Sequence, residues 1–377
     1  MTFPVSVCIL VKNEETNIKK CIESVSSWAR EVLVGDTGST DQTMNIAKET
    51  GASIIEIPWE NDFSKARNTI ISVASSKFIL MLDADEVFDI NSKDEILRYI
   101  NIGIPGAARV TLINHLDDES EVLGHATRLF PNEPQYRYSG IIHEQLKLNE
   151  EHCASINTDI VIHHYGYLSS EILRKDKSKR NLELLLKESE NGSEDPYILY
   201  QLARTFYLSR KFDDSKKSFD KCFAIVGDKQ HGFLSSAYYF HIRNLMSLEE
   251  WHSALNSLSD AIYRYPDYTD LYFLYGELLI QLQDPKLFTN IEDAFMNCLK
   301  LGECSSKYES YVGVGSFKAA YNLGIYYELL KNYEQALEMY RYSYTRGYTP
   351  ALIRYESLLG RSKHEKGICC SKTSVYE

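Results

Sequence analysis

The sequence lacks any apolar run long enough to cross a membrane. A spanning helix needs roughly 20 apolar residues, and no stretch of this chain approaches that length. We expect no signal peptide at its start, because the short apolar run Val5–Val11 is better explained as a first strand. We therefore expect a cytoplasmic protein without membrane insertion.

A CxxC cysteine motif and excess positive charge are also missing. The 8 cysteines are scattered without a CxxC motif, which is typical of reduced core thiols in a cytosolic protein. The formal net charge of −12 argues against an overall surface for nucleic acid or anionic membranes. We therefore expect no nucleic-acid partner, although Arg174–Arg180 is a local basic patch. At 377 residues, two domains are expected.

The first half of the chain alternates apolar runs with helical patterns, which predicts a mainly parallel α/β sheet with right-handed crossovers. Helices are expected over 15–27, 41–50 and 62–75. The predicted strands are Val5–Leu10, Glu31–Val34, Ser53–Ile57 and Phe78–Leu82. Residues 107–165 then carry short alternating runs, which we interpret as antiparallel strands that complete this domain.

From about residue 170 the strand signal ends and helices take over. Small and large residues recur at the offsets of a tetratricopeptide repeat, as in Leu323-Gly324…Tyr327…Ala336…Tyr340. Small residues let the two helices of a hairpin approach, and several hairpins must stack to bury their faces. An unrelated all-α bundle is the alternative. The predicted domains are 1–170, 171–361 and a polar, disordered tail at 362–377.

The apolar run Phe78–Leu82 leads directly into Asp83-Ala84-Asp85. Ligands bind at the carboxyl ends of strands in open α/β sheets, and two carboxylates there can hold Mg²⁺ or Mn²⁺ against substrate phosphates. We expect Asp85 to carry the metal and Asp83 to face the ribose. A polar turn is the alternative. The motif therefore indicates chemistry on a nucleoside diphosphate.

Three further positions are candidates for the nucleotide pocket. Asp36 ends the second strand and can accept the N3–H of a uracil ring, although an N-cap is the alternative. Asp62 begins the third helix, where a simple cap is equally consistent. Arg67 follows about one turn later and could brace an Asp carboxylate or reach a phosphate; a solvated helical face is the alternative.

The acceptor side is predicted at Gly140–Gln145. Glu144 can serve as a general base and His143 can orient it or bind metal or phosphate, unless this is an ordinary polar strand end. One of His163 and His164 could complete the metal shell, with His164 slightly favoured. The polar residues of a proposed acceptor-side strand are better explained as surface residues: His115, His125 and Arg128.

Together these motifs resemble one family. The order V-K-N-E-E, D-T-G-S-x-D, W-x-x-D-F-S-x-A-R-N, L-D-A-D-E, G-x-I-H-E and H-H-Y-G-Y is similar to family 2 glycosyltransferases of GT-A fold over about residues 1–170. With the tetratricopeptide repeats, the architecture resembles the peptide S-glycosyltransferases of glycocin biosynthesis, of the sublancin and thurandacin type.

The resemblance implies roles for individual residues. Glu144, His143 and Asp85 would be catalytic, and Asp85 with His164 would hold the metal. The nucleotide sugar would contact the loops that follow three of the strands and the start of the third helix: Val11, Lys12, Asn13, Glu14, Asp36, Asp62, Arg67, Asp83, Ala84 and Asp85.

The resemblance also implies a reaction. A hexose, with glucose the expected sugar, would move with inversion from a UDP-sugar to a Cys of a bacteriocin precursor peptide, with Ser as the alternative acceptor. The cofactor would be Mg²⁺ or Mn²⁺, and the repeats would hold the peptide. Transfer to a cell-surface glycan or another protein and an inactive repeat scaffold are the alternatives. A homodimer through the helical half is one association that such repeats allow.

Overall fold

The computed structural model describes residues 2–102, 106–168, 177–190, 195–304 and 306–371. The chain divides into two compact units, Met1–Gln230 and His231–Glu377. The predicted domain boundary at 170 and Arg174 of the basic patch lie outside the described residues. Among the described helices, none combines the length and apolar character that a bilayer crossing requires.

The first unit is built on a mixed sheet in the order β3-β2-β1-β4-β7-β6-β11-β5. The first four strands of this order are parallel to one another. A smaller antiparallel sheet has the order β10-β9-β8. The strands are β1 (Phe3–Val11), β2 (Ala29–Asp36), β3 (Ser53–Glu56), β4 (Phe78–Asp83), β5 (Glu86–Phe88), β6 (Ala107–His115), β7 (Glu121–Pro131), β8 (Tyr136–Ser139), β9 (Gln145–Leu148), β10 (Glu151–His152) and β11 (Ser155–His164).

Helices cover both faces of the parallel part, so its strands are almost wholly apolar. In α1, the buried residues Ile18, Cys21, Ile22 and Val25 recur with helical spacing and face the sheet. The helices of this unit are α1 (Ile18–Ser26), α2 (Thr43–Glu49), α3 (Phe63–Ser72), α4 (Lys93–Asn101), α5 (Lys177–Glu190), α6 (Pro196–Leu208) and α7 (Phe212–Val226), with a 3₁₀ turn at Ile90–Ser92.

The predicted alternation of strands and helices up to residue 83 is confirmed, and the fold class is a mainly parallel α/β domain followed by a helical domain. Two features differ from the sequence prediction. β5 and α4 follow β4 without having been predicted, and β11 pairs with β6 in parallel rather than antiparallel orientation. This parallel pairing allows β11 to run toward the same sheet edge as β4.

The second unit consists of helical hairpins. Its helices are α8 (Leu234–Ser247), α9 (Trp251–Arg264), α10 (Thr269–Leu282), α11 (Asn290–Leu301), α12 (Phe317–Leu329), α13 (Tyr333–Tyr344) and α14 (Thr349–Ser371), with a 3₁₀ turn at Pro285–Leu287 and a short extended segment at Ser310–Tyr311. The last helix continues past Arg361, where the sequence predicts a disordered tail, and residues 372–377 lie outside the described range.

Candidate active site

Asp83, the last residue of β4, is held between two arginines. Nη2 of Arg67 from α3 donates to Oδ1 at 2.8 Å, and Nη2 of Arg128 from β7 donates to Oδ2 at 2.9 Å. Burial alone would raise the pKa of Asp83, but the two guanidinium groups outweigh it and hold that pKa well below its usual range. Asp83 is therefore ionised, and both of its oxygens are occupied by protein donors.

Arg128 also contacts Glu86, the first residue of β5. Its Nη2 lies 2.7 Å from Oε1 of Glu86, and the backbone N–H of Asp83 donates to Oε2 at 2.8 Å. The Arg128 side chain is only 11% exposed, so the interpretation of this residue as surface-polar is wrong. The antiparallel pairing Leu80↔Leu129 brings it beside the end of β4, a contact that no local pattern in the sequence could have indicated.

Asp85 lies beside His164 because of strand pairing. β5 and β11 run antiparallel with Glu86 opposite His164, and the Tyr165 N–H donates to the Asp85 carbonyl at 3.0 Å. As a result, Nε2 of His164 is 3.6 Å from Oδ1 of Asp85. Burial lowers the pKa of His164, but the carboxylates, chiefly Asp85, more than compensate and raise it overall.

His163 points away from this contact, because successive side chains of a strand alternate between faces. Its Nδ1 lies 3.0 Å from Nε2 of His115, and the two rings stack at 5.2 Å between centroids. His115 in turn lies 3.2 Å from Glu121. Of the two adjacent histidines, His164 is therefore the one that faces the Asp85 carboxylate, and His115 belongs to a separate histidine pair.

The side chains at this sheet edge suit a metal ion whose coordination is completed by the substrate. Within the described residues, no three His, Cys, Asp or Glu side chains converge into a closed metal site. Asp85 and His164 form a two-residue pair, and Mg²⁺ or Mn²⁺ is commonly held by one or two protein ligands together with substrate phosphates. Asp85 and His164 thus fit an open site, whereas the carboxylate of Asp83 is occupied by arginines.

Two loops beside the carboxyl ends of β1 and β2 are hydrogen-bonded to each other. The Asn13 N–H donates to Ser39 Oγ at 2.9 Å, and Asn13 Oδ1 accepts from the Thr40 N–H at 2.8 Å. Asn13 has φ +57°, a left-handed conformation that Asn tolerates. Val11 and Glu14 are buried in this region, whereas Lys12 is exposed.

The carboxylate of Asp36 is buried and turned onto its own loop. It accepts hydrogen bonds from the backbone N–H groups of Gly38 and Ser39 at 3.0 to 3.2 Å. Asp62 is likewise occupied as the N-cap of α3, since it accepts from the Lys65 N–H at 2.9 Å and from the Ser64 hydroxyl at 2.7 Å. Asp62 therefore has the capping role that was its alternative, whereas Asp36 stabilises its own loop and does not cap α2, which begins at Thr43. For both side chains a contact with nucleotide would be additional.

Glu144 lies close to Asp83 through a shared arginine. Nε of Arg67 donates to Oε1 of Glu144 while its Nη2 binds Asp83. The Arg67 side chain is 7% exposed and that of Glu144 is 10% exposed. Since Arg67 contacts both carboxylates, the predicted acceptor-side base and the predicted donor-side Asp belong to one site.

His143 has an unusual backbone conformation and a buried ring. Its φ is +52°, and its Nε2 has no hydrogen-bond partner in the described part of the chain. Burial, with help from the nearby positive charge of Arg204, lowers the pKa of His143 to about 4. The imidazole is therefore neutral at neutral pH and cannot act as a cation toward phosphate.

Residues from α6 that the sequence did not indicate lie beside the predicted acceptor segment. Tyr197 hydrogen-bonds with Gln145 beside the Glu144 carboxylate. The positive charge of Arg204 contributes to the lowered pKa of His143. An apolar cluster packs α5 and α6 against the predicted acceptor segment. It consists of Ile142, Leu184, Leu185, Ile198 and Leu202. Only this packing, which joins segments more than 40 residues apart in the sequence, identifies α6 as part of the site.

Tyr138 is a further buried residue of the site. The side-chain amide of Asn68 both donates to the Tyr138 carbonyl and accepts from its N–H, each at 2.9 Å. The Tyr138 ring lies 5.5 Å from the Arg67 guanidinium, and its hydroxyl has no hydrogen-bond partner among the described residues. Burial raises the pKa of Tyr138 to about 12, so the phenol stays protonated at neutral pH.

Comparison with known proteins gives a family match for the part of the chain that carries this site. Residues 6–175, somewhat less than half of the chain, match the family described as Glycosyl transferase family 2. The resemblance indicated by the sequence motifs is thereby confirmed over these residues.

Two curated proteins extend the match beyond the domain. The chain is 31% identical over 210 residues to a TPR repeat-containing protein of Synechococcus elongatus, covering 52% of this chain and 51% of the relative. It is 30% identical over 239 residues to the SPbeta prophage-derived glycosyltransferase SunS of Bacillus subtilis, covering 60% of this chain and 56% of the relative. The chain thus spans about half the length of these relatives.

Among solved structures, MamA from Desulfovibrio magneticus is similar at 17% identity with a TM-score of 0.37, covering 46% of this chain and 87% of that chain.

Proposed function

We propose that this protein is an inverting glycosyltransferase that moves a hexose from a UDP-sugar to a cysteine of a bacteriocin precursor peptide, with glucose as the expected sugar. One observation carries the proposal: within the residues matched to family 2 glycosyltransferases, β4 ends at Asp83, Asp85 follows two residues later, and His164 from β11 lies beside Asp85. Carboxylates at the carboxyl end of a parallel strand are where an open α/β sheet binds its ligand.

The donor would lie along the ends of β1, β2 and β4. The linked loops that contain Asn13 and Asp36 would contact the uridine, and the diphosphate would lie toward Asp85. Asp85 and His164 would hold Mg²⁺ or Mn²⁺, which would neutralise charge on the departing diphosphate. Arg67 and Arg128 orient Asp83 toward the ribose and keep it ionised.

The acceptor thiol would approach from the side of Glu144. In a single displacement, the bond from sulfur to the sugar C1 forms as the bond from C1 to the diphosphate oxygen breaks, and UDP leaves. Glu144 takes the thiol proton. A cysteine thiol has an ordinary pKa near 8.5, so a carboxylate can activate it more easily than it can activate a serine hydroxyl. This favours cysteine over serine as the acceptor.

The helical hairpins of the second unit would bind the remainder of the peptide. Stacked hairpins of this type present extended concave surfaces, and the chain is rich in tyrosine, with 27 such residues. Tyrosine supplies contact area with little loss of side-chain entropy, which suits recognition of an extended peptide.

An activity assay with Asp85→Asn tests the proposal. The purified chain is incubated with UDP-glucose, Mn²⁺ and matched peptides that contain either cysteine or serine, and transfer is followed by mass spectrometry. We expect a gain of one hexose on the cysteine peptide, and a loss of about 100-fold or more in the variant. Asp159→Asn, at an exposed position of β11, is the control and should retain the wild-type rate.

Normal turnover by Asp85→Asn would contradict the metal assignment. Transfer to glycans or intact proteins, with none to peptides, would contradict the acceptor assignment while leaving the enzyme class intact. If neither UDP-sugar hydrolysis nor transfer occurs with any acceptor, the chain is a repeat scaffold instead.

A further inference from the structure

The imidazole of His164 has a buried partner on the side away from Asp85. Its Nε2 faces Asp85, and its Nδ1 lies 2.7 Å from Oδ1 of Asn114 in β6. β6 and β11 run parallel with Asn114 paired with His164, and Asn114 is only 7% exposed. The strand pairing that brings His164 to the end of β4 therefore also places an amide against the other nitrogen of its ring.

The orientation of the Asn114 amide is set by the next strand. Its Nδ2 donates to the Val122 carbonyl of β7 at 2.9 Å. A carbonyl oxygen can only accept, so the amide NH₂ group must face Val122 and the amide oxygen must face His164. Gly124 of the same strand leaves room for this arrangement, because a Cβ there would lie 3.2 Å from Nδ2 of Asn114.

The fixed amide determines which nitrogen of His164 carries the proton. An amide oxygen is an acceptor only, so Nδ1 must be the N–H that donates to it. In the neutral ring the lone pair is then on Nε2, which is the nitrogen 3.6 Å from Oδ1 of Asp85. Metals bind the lone pair of a neutral imidazole nitrogen. The ring thus presents its ligating atom on the side of the proposed metal site.

The ring of His164 is also restrained by an aromatic contact. The Tyr167 ring lies edge-on to it, with 5.2 Å between the centroids and an angle of 78° between the planes. Together with the hydrogen bond to Asn114, this contact opposes rotation of the imidazole. The position of Nε2 is therefore set before any metal binds.

We propose that Asn114 is a positioning residue of the metal site, whose amide holds His164 in the tautomer that directs the Nε2 lone pair toward a cation bound at Asp85. This rests on the proposed function, in which Asp85 and His164 hold Mg²⁺ or Mn²⁺. It adds to the site a residue of β6 that acts only through His164.

Mn²⁺ binding to the full chain in the presence of UDP, followed by electron paramagnetic resonance of the free ion, tests the proposal. For Asn114→Leu we expect Mn²⁺ affinity to fall by about 10- to 100-fold, as for the loss of other groups that orient a metal-binding histidine. Asn114→Asp retains an acceptor for the Nδ1 proton and should bind Mn²⁺ much more tightly than Asn114→Leu. Asn157→Leu, the same substitution at an exposed position of β11, should equal the wild type.

The tautomer itself can be measured without metal. Nitrogen NMR of the chain labelled with ¹⁵N-histidine distinguishes a protonated from an unprotonated ring nitrogen, and His164→Ala identifies the signals of this residue. At an alkaline pH, where the imidazole is neutral, we expect His164 to carry its proton on Nδ1 in the wild type and to lose this preference in Asn114→Leu. A role of Asn114 in packing alone would not change the tautomer.

Three results would overturn the inference: a proton on Nε2 of His164 in the wild type, wild-type Mn²⁺ affinity in Asn114→Leu, or equal losses in Asn114→Leu and Asn114→Asp. The wild-type spectrum decides the question even if Asn114→Leu does not fold. His164→Ala separates this inference from the proposed function. If His164→Ala loses Mn²⁺ and Asn114→Leu does not, only the inference fails. If His164→Ala binds Mn²⁺ as the wild type does, or the wild type binds none, the proposed metal site fails as well.

Discussion

At the scale of single residues, the site is organised by two arginines, Arg67 and Arg128, whose partners the sequence did not predict. Arg67 was a candidate because it follows Asp62 on one helix, but its contacts with Asp83 and Glu144 join segments distant in the chain. Removing one partner of a buried ion pair typically lowers the free energy of unfolding by about 3–5 kcal/mol. The chain of contacts from Glu144 through Arg67, Asp83 and Arg128 to Glu86 is therefore a structural element as well as a candidate chemical one.

The buried ring of His143 makes the stability of the first unit sensitive to acid. In the unfolded chain the imidazole takes up a proton near pH 6.5, but in the folded protein only near pH 4. Between these values the unfolded state binds more protons, so stability falls as the pH drops through this window. We expect His143→Asn to remove this loss, which is at most about 3 kcal/mol. Asn is chosen because it tolerates the left-handed φ of this position.

Urea unfolding of both proteins at a series of pH values from 7 to 4 measures this effect. The stability of the variant relative to the wild type should rise as the pH falls. His152→Asn, which changes an exposed histidine in the same unit, serves as the control and should run parallel to the wild type. A difference between His143→Asn and the wild type that stays constant with pH would disprove the assignment.

At the scale of elements, what the sequence predicted well is local. Continuous apolar runs predicted β1 and β4, and the spacing of apolar residues predicted α1 and the repeat helices. What it missed depends on pairing across the chain. β5 is three residues long, too short for a periodic signal, yet its pairing with β11 sets His164 beside Asp85. The parallel pairing of β6 with β11 likewise has no local signature.

The site residues likewise divide into those that a local sequence pattern predicts and those whose contacts form only on folding. Asp83 and Asp85 could be predicted because they end a buried strand, and Glu144 because it follows a histidine in a family motif. Arg128 could not, since its burial beside Asp83 and Glu86 exists only in the folded chain. Choosing His164 over His163 required the phase of β11, which the sequence left open.

The repeat hairpins depend on small residues where two helices cross. A Cβ added to Gly324 in α12 would overlap the ring of Tyr340 from α13, which is fully buried and donates from its hydroxyl to Glu328 at 2.7 Å. Gly324→Ala should therefore destabilise the protein by about 1–3 kcal/mol, despite the better helix propensity of alanine. Thermal unfolding followed by circular dichroism measures the change.

Gly360 in α14 offers a matched comparison, because a Cβ there would meet nothing within 4 Å. Gly360→Ala should be neutral or stabilising by up to about 1 kcal/mol, since it removes backbone freedom from the unfolded chain. Equal effects of the two substitutions would show that the crossing at Gly324 is looser than the contact with Tyr340 implies.

At the scale of the whole molecule, the first compact unit extends to Gln230, well past the residues matched to the family. The apolar cluster of Ile142, Leu184, Leu185, Ile198 and Leu202 lies inside this unit. Each such side chain contributes about 1.5–3 kcal/mol when fully buried. We therefore expect a fragment of residues 1–230 to be soluble and to unfold cooperatively, whereas a fragment of residues 1–170 should melt about 10 °C lower or aggregate.

Ile142 distinguishes this explanation from a general effect of chain length. Ile142 is 4% exposed in the full chain. If α5 and α6 stabilise the first unit by covering it, then Ile142→Ser should lower the free energy of unfolding of the fragment 1–230 by several kcal/mol. The same substitution should cost little in 1–170, where that cover is missing. Calorimetric melting of the four proteins gives both differences. Equal costs in the two fragments would mean that the helices after residue 170 stabilise the domain by some route other than this cluster.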